Sequence, residues 1–241
     1  VYVEITRTTI VVGIILLAVG YLIGNVISIM KNSQSGSEPG IITSTIGGNQ
    51  LSKPKIPGSI NFEIPKFAKF QGSDSATLDL VEFRDYQCTF CEKFFQQTEP
   101  QITKEYVNSG KIKFYFLDFA IVGPDSITLR DGAWCVDEQG KYYDYHNYAY
   151  FHQGAENSGW GTVEKVKAFA FDFGLDTQKF NSCLDSKKYE PMIQQLYQLG
   201  QSLEITGTPT MFIGNEKVGF TKITGAQPYE VFQQVMGSYL Q

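Results

Sequence analysis

Two cysteines separated by two residues, Cys88-Thr89-Phe90-Cys91, stand where an apolar run, Leu78 to Phe83, passes into a helix-like stretch. Thiols at i and i+3 of a first helical turn lie on one face. One can then attack a disulfide while the other resolves the mixed disulfide that forms. Cys88, at the start of the turn, is the expected nucleophile, and Cys91, one turn in, the resolving thiol. A free thiol titrating near about 8.5 is mostly protonated at neutral pH, whereas a helix N-terminus with C-x-x-C geometry lowers that to roughly 3.5 to 7.5. Unpaired N–H groups of the first turn and the helix dipole supply the field. The chemistry expected is thiol–disulfide exchange. A zinc half-site or an inert structural disulfide is the alternative, but no second Cys pair or His pair at ligand spacing accompanies it.

Other residues bear on that chemistry. Glu82 shares the alternation of Leu78 and Leu80, so on a central strand its carboxylate faces an apolar layer. A buried carboxyl titrates high and can exchange a proton with Cys91; a partly solvated strand-end residue is the alternative. Cys135 and Cys183 fall on separate helical stretches. On an oxidising side of a membrane they are expected to form a structural bridge, with two buried free thiols as the alternative. His146 and His152 are off the i, i+4 spacing of a helical metal pair and read as structural. The cluster Tyr142, Tyr143, Tyr145, Tyr148, Tyr150 and Phe151 reads as helix packing with polar tips at the surface.

The rest of the chain must hold these groups in place. At 241 residues, with 42% hydrophobic and 19% charged residues, it suffices for one domain of fair size with appendages. A net charge of -5 leaves no basic stripe for phosphates, which excludes nucleic acid as a general partner. No cofactor is expected. Ile10 to Met30 is a 21-residue stretch without a charge, and as a helix it spans roughly the 30 Å core of a bilayer. Residues 1–30 are therefore expected to form an N-terminal transmembrane anchor that meets the lipid bilayer through residues 10–30. A cleaved signal peptide is the alternative, although its apolar core is usually only about 7 to 15 residues. Residues 31–60, rich in Ser, Gly, Pro, Asn and Gln, read as a flexible linker. From Asn61 the pattern condenses into a strand Ala76–Phe83, a helix Thr89–Asn108 interrupted at Pro100, and a strand Lys111–Ala120. A helical insertion follows over about 123–204, with breaks near Gly140, Gly154 to Gly161, Gly174 and Pro191. Strand Thr210–Ile213, a Gly214-Asn215 turn, strand Lys217–Phe220 and a helix Ala226–Tyr239 close the domain.

The run Leu80-Val81-Glu82-Phe83-Arg84-Asp85-Tyr86-Gln87-Cys88-Thr89-Phe90-Cys91, the Cys135 helix followed by Tyr142 to His146, and Gly207-Thr208-Pro209-Thr210 together resemble the DsbA-like thiol–disulfide oxidoreductases. The match covers about residues 60 to 241. The resemblance implies an α/β thioredoxin fold with an inserted helical domain, here preceded by one transmembrane helix. It also implies that Pro209 is cis and lies against the cysteine pair, where the Thr208 backbone can bond an extended substrate segment. A quinone-linked membrane oxidase is the implied electron acceptor. Two positions depart from the family: its usual Cys-Pro-x-Cys is Cys-Thr-Phe-Cys, and Phe90 stands where strongly oxidising members often carry His. The Cys88 thiolate should then be less stabilised, making an intermediate oxidant.

These readings converge on a single-pass cell-membrane thiol–disulfide oxidoreductase with its catalytic domain, residues 61–241, on the extracytoplasmic side. It would introduce disulfides into cysteine-containing secreted or membrane proteins and exchange electrons with a membrane redox partner. Two alternatives stay open: a reductase or isomerase fed by a membrane electron donor, and a non-catalytic copper-handling or assembly subunit of a membrane complex, with Cys88 and Cys91 as soft ligands.

Overall fold

A computed structural model describes residues 58–240. The expected transmembrane segment and nearly all of the expected linker lie outside the described residues. Among the described residues, no helix is long and apolar enough to cross a membrane.

The apolar run before the C-x-x-C becomes strand β2 (Leu78–Arg84), buried on both faces from Leu80 onward. It pairs in parallel with β3 (Ile112–Asp118) and antiparallel with β4 (Thr210–Asn215). Strand β1 (Lys69–Gly72) adds to β3, and β5 (Gly219–Thr224) adds to β4, giving the order β1-β3-β2-β4-β5. A central strand needs cover on both sides, and two apolar clusters supply it. Leu80, Phe114, Phe116 and Met211 pack toward helix α1 (Thr89–Gln97), through Phe94, and toward the last helix, α8 (Tyr229–Tyr239), through Phe232. Val81, Phe83, Leu117 and Phe212 pack on the other face with Trp134, Ile193 and Leu196.

Between β3 and β4 the described residues hold helices α3 (Pro124–Asp137), α4 (Tyr142–Phe151), α5 (Val163–Asp172), α6 (Thr177–Ser186) and α7 (Glu190–Ser202). Gly140 and Gly174, with φ of 74° and 62°, reverse the chain where a side chain would be strained. Pro191 falls in the first turn of α7, where no N–H is needed.

Two local expectations are corrected, and one strand was missed. The helix after the cysteines breaks at Thr98, not at Pro100: Pro100 lies in the first turn of α2 (Glu99–Ile102), which runs on into a π-helical turn, Thr103–Val107. Gly214 and Asn215 do not make the hairpin turn; both belong to β4, and Asn215 pairs with Gly219. Its side-chain oxygen accepts from Lys217 N at 3.0 Å and Val218 N at 3.1 Å, so an Asx-type turn holds the bend two residues later. Strand β1 was not expected, because four residues without alternation at a sheet edge carry no periodic signal.

Cys135 on α3 and Cys183 on α6 are disulfide-bonded, with Cα atoms 5.7 Å apart. They are separated by 48 residues in sequence, a loop for which the chain-entropy model gives about 4 kcal/mol. Replacing both by Ala should lower unfolding stability in urea by up to about that amount. An unchanged midpoint in the double variant would show that the bridge does not constrain the unfolded chain.

Candidate active site

The polypeptide leaves β2 at Arg84 and reaches Cys88 through a loop pinned on every side. The Asp85 carboxylate accepts from Gln87 N at 2.8 Å and, through its other oxygen, from Ile121 N and Val122 N at 2.8 and 2.9 Å. Cys88 N donates to the Asp85 carbonyl, and Tyr150 donates to the same carbonyl at 3.2 Å. Gln87 reaches into the helical insertion, donating to Ser126 Oγ at 2.8 Å and accepting from Asn157 N at 2.6 Å. From α4's end, Gln153 donates to the Tyr86 carbonyl at 2.7 Å. Sequence reasoning passed over Asp85, Gln87 and Gln153; the Asp-x-Gln step between strand and cysteine was a possible turn signal.

Cys88 is the N-cap of α1, and Cys91 lies in its first turn with no exposed surface. Both are free thiols. Their environments drive them apart. The Cys88 thiol is lowered to about 6, first because the Cys91 thiol donates a hydrogen bond to its thiolate, and then, against the opposing effect of burial, by the Thr208 side chain and the N–H groups of Cys91 and Phe90. The N–H groups act without closing a full cap bond. Thr208 pulls in two directions, because its carbonyl accepts from the protonated Cys88 sulfur at 3.1 Å. The donors outweigh that one acceptor. Burial pushes the Cys91 thiol well above its ordinary value, and the hydrogen bond to Cys88 adds to it. The asymmetry suits a nucleophile paired with a resolving thiol.

Thr208-Pro209 is a cis peptide. Glu82 is 1% exposed on β2, which removes the solvated strand-end alternative. Burial raises its carboxyl well above the usual range, with Arg84 opposing, and the Cys91 thiol feels its charge. Cys135 and Cys183 are not part of this constellation. The expectation of surface tips on the α4 tyrosines is corrected for three of them: Tyr142, Tyr145 and Tyr150 are buried. The Tyr145 hydroxyl donates to the Leu129 carbonyl, while Tyr142 donates to Asp118 Oδ2 and accepts from Arg84. Among the described residues, no group of three or more His, Cys, Asp or Glu is arranged to hold a metal.

Beneath the loop is a buried guanidinium, also overlooked in the sequence. Arg84 donates to Asp118 Oδ1 at 3.1 Å, to Tyr86 and Tyr142 hydroxyls at 2.9 and 3.1 Å, and to His146 Nδ1.

A thioredoxin-type sheet with a split-environment C-x-x-C at the first turn after its central strand defines a thiol–disulfide oxidoreductase. A thioredoxin family model matches residues 68–236, and the chain belongs to that family. It is 24% identical over 177 residues to a probable disulfide bond formation protein D of Bacillus cereus, covering 72% of this chain and 82% of that protein. Oxidised BdbD from Bacillus subtilis shares the fold at a TM-score of 0.64 and 22% identity, over 71% of this chain and 91% of that one. The thiol-disulfide exchange protein alpha-DsbA2 of Wolbachia pipientis matches at a TM-score of 0.59 and 26% identity, over 72% and 88%.

Two outcomes are expected. A Cys88 thiol depressed from 9.0 to about 6 adds stability to the reduced fold above its unfolded value, and this is lost as pH falls through the folded one. The reduced chain should therefore lose stability relative to the oxidised chain, which has no thiol there to titrate, as pH drops toward about 6, measured by urea midpoints. Arg84→Met should cost about 3 to 5 kcal/mol because it strands the Asp118 carboxylate. The double variant with Asp118→Leu should recover part of that loss.

Proposed function

We propose that this chain is a membrane-tethered protein thiol–disulfide oxidoreductase that introduces disulfides into cysteine-containing secreted or membrane proteins outside the cell membrane. The observation that carries the reading is the opposed tuning of Cys88, down to about 6, and Cys91, pushed upward. Stabilising the thiolate of the reduced form makes the disulfide more oxidising. Relatives named for disulfide bond formation support the same direction. The uncharged stretch Ile10 to Met30 supports an anchor at residues 1–30, a tether over 31–60 and a catalytic domain on the extracytoplasmic side.

In the forward reaction a substrate thiolate attacks Cys88 Sγ of the oxidised pair. The disulfide bond breaks, its electron pair passes to the Cys91 sulfur, and Glu82 supplies the proton that this buried sulfur requires. A second substrate thiolate then attacks the substrate sulfur of the mixed disulfide, and Cys88 departs as a thiolate, a good leaving group because it titrates low. Two substrate thiolates become one disulfide, and the enzyme pair has gained two electrons and one proton. A membrane redox partner removes the electrons and restores the Cys88–Cys91 bond. The Thr208 backbone, beside the Cys88 sulfur, receives an extended substrate segment. Cys135 and Cys183 serve as a structural disulfide.

Redox titration of the full chain, with alkylation and mass mapping of each cysteine pair, tests the direction. A potential above about -180 mV is expected, and one near about -270 mV would overturn the oxidant reading in favour of a reductase. Cys91→Ser should accumulate mixed disulfides through Cys88. Stoichiometric binding of copper with no trapped mixed disulfide would instead favour the copper-handling role.

A further inference from the structure

The core behind the dithiol holds more ionisable groups than the exchange reaction uses. Glu82 and Arg84 lie two apart on β2 and so point to one face. The α1–α2 junction brings Glu99 to that side, and α4 brings His146.

The hydrogen bonds fix the state of the histidine. Arg84 has only donors, so His146 Nδ1 beside its Nη1 must accept. Burial, reinforced by Arg84, holds the ring neutral, which leaves the proton on Nε2. That nitrogen donates to Glu99 Oε1 at 3.2 Å. The contact is a neutral hydrogen bond, not an ion pair, and it clamps one oxygen of Glu99. The other oxygen, Oε2, is buried without a protein partner, as is Oε2 of Glu82. Buried polar atoms left unmatched cost about 1 to 3 kcal/mol each, and a pair of them beside a redox centre suggests a function.

The two carboxyls differ in access. Glu82 is 1% exposed and Glu99 7%. Glu99 also lines a groove of about 520 Å³ with Gln96, Thr103, Lys104, Asn147 and Phe151. Each acid is raised by burial and opposed by Arg84, and the charge of Glu99 further raises Glu82. The ionisable groups facing the pair are Arg84 from β2, Asp118 from β3, and Cys88 with Cys91 from the start of α1. Neutral His146 and Tyr150 face it from α4, and Lys104 lines the groove. Arg84 opposes the rise of both carboxyls but is itself paired with Asp118.

We propose that Glu99 acts through Glu82, as the positioning residue that passes protons between the groove and the carboxyl serving Cys91. This rests on the reading of Glu82 as the proton partner of Cys91. After Glu82 gives its proton to the Cys91 thiolate, Glu99 gives one to Glu82 and is refilled from water in the groove. When the dithiol is reoxidised, the proton travels outward by the same two carboxyls. A coupled pair titrates in two macroscopic steps.

The test is the pH profile of reduction of the oxidised full chain by a small dithiol, corrected for the concentration of attacking thiolate. Wild type should show two carboxyl steps. Glu99→Gln, which keeps an acceptor for His146 Nε2–H, should lose one step, and Glu99→Asp should restore it. A Glu99→Gln profile that superimposes on wild type overturns the proposal. Should the variant fail to fold, reduced-minus-oxidised infrared difference spectra of the wild type decide: two protonated carboxyl bands shifting on reduction support the pair, and one overturns it. Step number is independent of potential. A low potential with two steps in wild type and one in Glu99→Gln would support the pair while sinking the oxidant reading.

Discussion

A guanidinium cannot escape burial by losing its proton, so an arginine inside a core has to be matched donor by donor. Arg84, 1% exposed at the end of the central strand, imposes that condition on this fold. Its acceptors come from β3 through Asp118, from α4 through Tyr142 and His146, and from the cysteine loop through Tyr86. None of these elements can shift without leaving a donor unpaired in low dielectric. The aromatic ring of Phe116 lies beneath the group, 4.5 Å from its central carbon, and closes the remaining side. Because Cys88 follows only four residues later, the position of the dithiol is set by the same condition that joins the sheet to the insertion.

Within that frame, one helical turn separates two sulfurs of opposite character. Burial opposes ionisation of both. Cys88 overcomes it because donors surround it: the Cys91 thiol, the Thr208 side chain and the first-turn N–H groups. For Cys91 burial dominates, and the bond it gives to Cys88 raises it further. The Cys91 thiol is the largest influence lowering Cys88, since a proton kept on the one sulfur stabilises charge on the other. Phe90, between them, contributes its backbone N–H, but its side chain turns outward, 61% exposed, and adds no donor to this balance.

What was legible in the sequence is what local geometry decides. The spacing of Cys88 and Cys91, the apolar run that becomes β2, and the glycine breaks at Gly140 and Gly174 all follow from backbone period and turn chemistry. Thr208-Pro209 was readable only because it recurs with the other motifs in a known family. The cluster under the site was not legible. Arg84 and His146 lie 62 residues apart, and His146 and Glu99 47. No periodicity links them, and the rule that charged residues stay outside points the wrong way. The hairpin misled for a different reason: Gly214-Asn215 has good turn composition, but the pairing of β4 with β5 carries both residues into the ladder.

The reactive sulfur is itself recessed, with Cys88 only 6% exposed. Attack on a disulfide proceeds in line with the bond, and its rate depends on access to the sulfur. A cysteine held on the surface of a folded domain brings its neighbours with it and cannot enter such a recess. A cysteine on a loose, extended segment can. Under the oxidising role proposed above, selectivity would be a matter of timing rather than of recognised sequence: a protein would be oxidised while its cysteines are still on unfolded chain, and its own folding would end the encounter.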